Sequence, residues 1–277
     1  MLRQRVVTAL VLLAILLPAL FAYTPWPFAV VTLLLIGAAG WEWARLNGLA
    51  AFAGVSGVLL GAACAAALWF DLPGRVSPWV WWLATVGWVV GGGAALAGGP
   101  ASWPKLPAGV RWLIGMALLF VAWLALARSR EFGVNFILSV LCLVWVADIA
   151  AYFGGRRFGR RKLAPTISPG KSWEGVASGM LGTLILGAGW IALDRAVVVD
   201  SASLYSRLRE ALGWAGLVPV VAFLAAMSVV GDLFESLVKR SAGAKDSSAL
   251  LPGHGGVLDR IDALLPVFPI ALAMVAL

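Results

Sequence analysis

Apolar residues run along this chain in long, unbroken stretches separated by short polar ones. They fall at about 26–45, 50–70, 78–97, 109–128, 132–153, 173–198, 213–235 and 257–277, after a first stretch within 1–22. The runs are continuous rather than alternating, which argues against strands, and most approach the roughly 20 residues that a helix needs to cross a bilayer. The pattern predicts an all-α polytopic membrane protein with about nine transmembrane helices. No polar linker interrupts it, so 1–277 reads as a single integral-membrane domain, with 1–127 an N-terminal helical scaffold and 128–277 the half that carries chemistry. The opening MLRQRVVTALVLLAILLPALFA has the outline of a signal peptide, but in a chain this apolar it reads as a retained first span.

Composition agrees. Of the residues 62% are hydrophobic and 12% charged, against roughly half and a quarter in a soluble domain. The net charge of +8 suits a protein facing anionic headgroups. Nucleic acid is excluded as a partner, because the loops are too short to offer a basic face outside the membrane. Arg3 and Arg5 place the N-terminus in the cytoplasm by the positive-inside rule. Counting crossings then puts Arg45, Lys105, Arg111 and both basic loops, 154–172 and 239–262, on that side. Arg128, Arg130, Arg207 and Arg209 fall outside and count against it, the last two with Asp200 and Glu210 nearby. Cys64 and Cys142 lie mid-span and read as small apolar residues. The tryptophans of the first half sit near span ends, as an aromatic belt does, and Glu42 and Arg45 are spaced to pair on one helix.

The stretch SVVGDLFESLVKRSAGAKDSSALLPGHGGVLDRID, 228–262, reads differently. It holds Asp232, Glu235, Asp246, Asp259 and Asp262 with Lys239, Arg240, Lys245, Arg260 and the one histidine, His254. A solvated topological loop explains the bases but not the acids, since cytoplasmic loops need only Lys and Arg. Acids to hold Mg²⁺, with cations and a Gly-rich turn to hold phosphate, explain both. On a continuing helix, Asp232, Glu235, Ser236 and Lys239 share one face. Pro252 and its glycines break the helix, and a second helix from near Val257 sets Asp259 and Asp262 one turn apart. Two helix ends across a loop can then bring Asp232 and Asp259 to one cation.

A second stretch is VWVADIAAYFGGRRFGRRKLAPTISPGKSWEG. Asp148 stands in an apolar helix, where an ionisable group needs a partner or a wet cavity. Arg156, Arg157, Arg160, Arg161 and Lys162 follow, mostly explained by topology and partly by attraction of anionic lipid. Pro169-Gly170-Lys171-Ser172 resembles the end of a Walker A loop, but Pro165 stands where glycine is needed and no preceding strand is expected. A Gly-Lys-Ser turn entering a helix at Trp173-Glu174 still offers N–H groups and an ammonium to phosphate.

Together Ser236-Leu-Val-Lys239-Arg240, Lys245-Asp246, Pro252-Gly-His254-Gly-Gly and Asp259-Arg260-Ile-Asp262 resemble the signature of the phosphatidate cytidylyltransferases, or CDP-diacylglycerol synthases. The segment through Lys171, Ser172 and Glu174 is similar to that family's Ser-Pro-Lys-Lys stretch, with Gly170 in place of its first lysine. The resemblance covers roughly 145–265. It implies transfer of CMP from CTP to phosphatidic acid, giving CDP-diacylglycerol and pyrophosphate, in a bacterial inner membrane with the site facing the cytoplasm.

By the same resemblance, Asp232 and Asp259 are metal ligands for Mg²⁺, a second cation being left open. Asp246, Asp262 and Asp148 are further groups around the metal. Lys239, Arg240 and Lys245 hold phosphates, with Lys171, Ser172, Glu174, Ser236 and Arg260 assisting in substrate binding. His254 either donates to the leaving pyrophosphate or is a structural hydrogen bonder. Oligomeric state is left open, a homodimer included. A CTP-dependent polyprenol kinase, another lipid cytidylyltransferase and a transporter are the alternatives, the last disfavoured by the lack of paired repeats.

Length adds one expectation. The 15 residues after Asp262 make roughly 22 Å of helix, short of a hydrocarbon core about 30 Å thick. A spanning final helix must therefore begin near Val257 and carry Asp259 and Asp262 below the headgroups, into a polar funnel open to cytoplasm and lipid, with Asp259 near Asp232. The alternative is a half-crossing helix at the interface.

Overall fold

A computed structural model describes residues 2–276, leaving aside the side chains at 2, 3, 5, 6 and 9. The side chains of Arg3 and Arg5, on which the expected orientation rests, thus lie outside the described residues. The apolar runs become helices: α1 Leu2–Phe21, α2 Trp26–Leu46, α3 Ala53–Trp69, α4 Leu72–Arg75, α5 Pro78–Val86, α6 Gly93–Gly98, α7 Ala108–Phe132, α8 Val134–Phe158, α9 Trp173–Ala196, α10 Leu204–Ser241, α11 Leu258–Ile261 and α12 Leu264–Val275. A π-helical stretch, Gly87–Gly92, joins α5 to α6. Gly213, at φ 64°, breaks α10 ahead of its long apolar part.

Seven helices among the described residues are long and apolar enough to cross a membrane: α2, α3 with its lead-in turn, the α5–α6 unit, α7, α8, α9 and α10. The other two of the expected nine are not among them. In α1 the apolar part is Leu10–Phe21. α12 has 12 residues, and it is sheathed by protein: Leu265–Met274 are all buried, against α10, α5, α7 and α8. A helix enclosed in this way does not meet lipid, so bilayer thickness does not set its length.

The break before α12 has a local cause. Pro266 has no N–H to give the Asp262 carbonyl, which takes a tighter bond from the Leu265 N–H at 3.3 Å instead. That carbonyl also rests on Gly231, where a side chain would meet it at 2.4 Å, so α10 and the α11–α12 turn touch next to Asp232.

Small residues fix the rest of the catalytic half. Gly175 and Gly179 of α9 lie on the Ala151 and Ala147 carbonyls of α8, where an added Cβ would stand 2.8 Å away. Such contact between backbones is how helices associate where lipid offers no hydrophobic drive. Between α8 and α9 sits an antiparallel hairpin, β1 Lys162–Ala164 and β2 Ser168–Ser172, pairing Lys162 with Ser172. This corrects the expectation that no strand precedes Trp173. The hairpin is a two-stranded excursion, not the central strand a Walker A loop needs.

The aromatic belt is only part of the tryptophan story. Trp43, Trp81, Trp88, Trp103 and Trp123 are buried, while Trp26, Trp69 and Trp79 are exposed. Phe234 of α10 is caged by Trp43, stacked at 6.2 Å, with Trp88 and Trp103 edge-on at 5.5 and 5.3 Å. Phe234 lies between Asp232 and Glu235 in sequence. The N-terminal half therefore buttresses the charged helix from behind and is more than a lipid interface.

Candidate active site

The charged face of α10 is divided between two sets of partners. Lys171, at the end of β2, reaches Asp232 at 2.5 Å, and Ser236 one turn on donates to the other Asp232 oxygen at 3.3 Å. These two groups come from the two segments singled out in the sequence. They meet in a cavity of about 600 Å³ lined by Asp148, Tyr152, Arg156, Lys162, Lys171 and Asp232, among others. Asp148 opens onto it, as an ionisable residue at that depth requires. Asp262 interacts electrostatically with Asp232, Lys239 and Asp148. Around the rim, Tyr152, Phe153 and Trp173 are exposed.

Two turns after Asp232, Lys239 is buried between two carboxylates. Its ammonium pairs with Glu235 and donates to Asp259 Oδ1 at 2.5 Å. Asp259 Oδ2 accepts the Ser247 hydroxyl at 2.8 Å, the Ser247 N–H at 2.9 Å and the Gly256 N–H at 2.7 Å. Asp259 lies outside the seven spans. Burial works against its ionisation, but Lys239 and the two N–H groups hold its carboxyl below the ordinary carboxylate range. Asp232 and Asp259 thus sit on different partners. Glu235 was noticed only as part of the helix face. Its pairing with Lys239 follows from their i, i+4 spacing.

The loop after α10 closes on itself. Leu251 and Gly255 exchange a bridge, and the His254 N–H meets the Leu251 carbonyl at 2.8 Å. Gly253 and Gly255 both hold positive φ, at 76° and 83°, which only glycine adopts freely. This turn walls a second cavity of about 550 Å³, lined by Gln4, Lys245, Asp246, Ser248, His254 and Arg260 among others. Arg260 donates to the His254 carbonyl at 2.6 Å, and His254 Nδ1 is buried without a partner.

Three of the expected site residues also make contacts that hold the local structure. Ser172 caps α9 by accepting the Gly175 N–H. Glu174 accepts the N–H groups of Arg160 and Arg161, at 3.0 and 3.2 Å, and so fastens the basic loop; it does not line the first cavity. Arg240 is directed to the Ile167 and Ala244 carbonyls, tying hairpin to loop.

The largest surprise is Glu42. It does not pair with Arg45, whose guanidinium lies 4.5 Å above the Trp41 ring. The Glu42 carboxylate, fully buried, accepts the Val257 and Leu258 N–H groups at 2.9 and 2.7 Å and the Ser248 hydroxyl at 2.6 Å, and the Ser247 hydroxyl, which it shares with Asp259, lies 3.1 Å away. One signal was available in the sequence: Glu42 is the one acid of its own apolar run, as Asp148 is of its run.

Whether Mg²⁺ fits can be judged from the donors. Among the described residues no three His, Cys, Asp or Glu side chains form a ready cage. Mg²⁺ needs only one or two carboxylates, with water and substrate phosphate completing its shell. Asp232 and Asp148 on one cavity wall, with Asp262 nearby and Lys171 as the close cation, meet that requirement. Asp259 is engaged by Lys239 at Oδ1 and by Ser247 and Gly256 at Oδ2.

Comparison with known proteins gives one answer. A family model described as the cytidylyltransferase family matches residues 3–277. A phosphatidate cytidylyltransferase of Pseudomonas aeruginosa is 39% identical, covering 99% of this chain and 97% of that protein. One from Haemophilus influenzae is 37% identical over 97% of this chain and 96% of its own length. One from Thermotoga maritima is 43% identical over 56% of each.

Proposed function

The chain belongs to the cytidylyltransferase family, and from that premise we propose that it is a phosphatidate cytidylyltransferase, moving CMP from CTP onto phosphatidic acid with release of pyrophosphate. The observation that carries this reading is the meeting of Lys171 and Asp232, from two distant segments, in one cavity. A phosphatidate oxygen attacks the α-phosphorus of CTP as the bond to pyrophosphate breaks in line. That oxygen is already anionic at neutral pH, so the protein's task is to neutralise and align two polyanions rather than to supply a strong base.

Lys171, Arg156 and Lys162 receive the phosphatidate headgroup in the first cavity, and the exposed Tyr152, Phe153 and Trp173 lie against its acyl chains. Lys245 and Arg260, with Ser248, hold the triphosphate in the second cavity, and His254 donates to the leaving pyrophosphate. Lys239 orients Asp259, and Ser236 orients Asp232. We assign Mg²⁺ to Asp232, with Asp148 and Asp262 within its surroundings; when bound it neutralises and aligns phosphate oxygens. A cation taken by Asp259, as the sequence resemblance implies, first has to displace Lys239. Purified protein given CTP labelled in cytidine, with phosphatidate, is expected to yield lipid-soluble label and one pyrophosphate per lipid. Transfer of a γ-phosphate label to a polyprenol, with no cytidine in the lipid, would instead identify a kinase.

We further propose that both cavities face the cytoplasm of a bacterial inner membrane. The support is the shared basic excess of 154–172 and 239–262. Cysteines placed at Arg161 and Ala242, both exposed, are expected to react with an impermeant reagent only in inside-out vesicles. Labelling of either in right-side-out cells reverses the topology.

A further inference from the structure

Glu42 is a buried carboxylate that forms no ion pair among the described residues. It is met instead by two N–H groups and the Ser248 hydroxyl, with the Ser247 hydroxyl shared between it and Asp259, all from 247–258. Those four converge on one point only when that loop has its present shape. The fit leaves no slack: a Cβ on Gly256 would stand 2.2 Å from Glu42 Oε1 and 2.1 Å from Ser247 Oγ. Ser247 continues the chain of contacts, since its hydroxyl also lies 2.8 Å from Asp259 Oδ2, which shares its carboxyl with Lys239. The same loop walls the cavity of Lys245, Asp246, His254 and Arg260.

We propose that Glu42 is a positioning residue for nucleotide binding: from α2, far away in sequence, it sets the loop that forms the CTP cavity and, through Ser247, the angle at which Asp259 meets Lys239. This rests on the phosphatidate cytidylyltransferase reading given above. A buried carboxylate accepting backbone N–H groups is a strong, charge-assisted anchor. Glutamine in its place keeps the volume but offers an NH₂ group to donors, so part of the anchor becomes repulsive.

The test is a comparison of Glu42→Gln and Gly256→Ala with wild type in detergent. The second variant crowds the anchor from the loop side and leaves the carboxylate in place, so it stands in if the first fails to fold. Each is expected to raise the KM for CTP by about tenfold, within the range usual for loss of an outer-layer orienting contact, and to leave the KM for phosphatidate within about twofold. Hydrogen exchange of the Val257 and Leu258 amides is expected to quicken, with that of the α8 and α9 amides unchanged. A purely structural role lowers only the amount of active enzyme, and so Vmax, without moving either KM. Unchanged KM for CTP in folded protein overturns the proposal, whether or not exchange quickens. Wild type without turnover on CTP and phosphatidate overturns the function itself, a result seen before any variant is compared.

Discussion

Asp232→Asn is expected to lower turnover by about 100-fold or more, the scale on which removal of one charged or donor group at a reacting phosphate or acyl centre is felt. Asparagine keeps the shape and the contact with Ser236, while the partner of Lys171 loses its charge. Lys171 is then free to bind phosphate more tightly, so the KM for phosphatidate should stay level or fall as turnover collapses. That split separates the loss from poor binding. Initial rates of lipid-linked cytidine at saturating substrates and ordinary Mg²⁺, alongside a thermal unfolding midpoint, decide it. Near-normal turnover would remove Asp232 from the proposed metal site.

The second large effect is on stability. Lys239→Met leaves Glu235 and Asp259, with 3% and 6% of their side chains exposed, without their shared cation. Breaking a buried ion pair from one side costs roughly 3–5 kcal/mol, because the abandoned charge stays desolvated. Against total stabilities of about 5–15 kcal/mol, that is a large share. The unfolding midpoint of the variant in detergent should fall markedly and its activity disappear. Adding Glu235→Gln should restore part of the midpoint and none of the activity, as the remaining acid keeps its Ser247 and Gly256 donors. A single variant as stable as wild type would mean that Lys239 is not the group holding these acids.

Much of this site was legible because its contacts are local or carry charge that apolar surroundings cannot hide. Asp232, Ser236 and Lys239 lie on one helical face by spacing alone, and Asp148 announced itself by its cost at depth. Seven of the helices followed from continuous apolar runs. What escaped depends on contacts between remote segments. No spacing rule links Glu42 to Val257 or Leu258, more than 200 residues on, and Arg45 offered a nearer and plausible partner. The contacts of Asp259 with Lys239, Ser247 and Gly256 depend on a loop path that cannot be read from its glycines. The hairpin 162–172 has no alternating apolar pattern to announce it, and nothing in the run 257–277 shows that α12 is enclosed by other helices.

The separation of Glu42 from its partners also bears on how the molecule is made. Ser247 is synthesised 205 residues after Glu42. At about 5–20 residues per second, that is roughly 10–40 seconds of translation. Through that interval the second helix is already in or at the membrane with an acid that has none of its donors from 247–258, and it must rely on water or an insertion partner. Biogenesis therefore passes through a stage in which the first half is complete in sequence and incomplete in electrostatics.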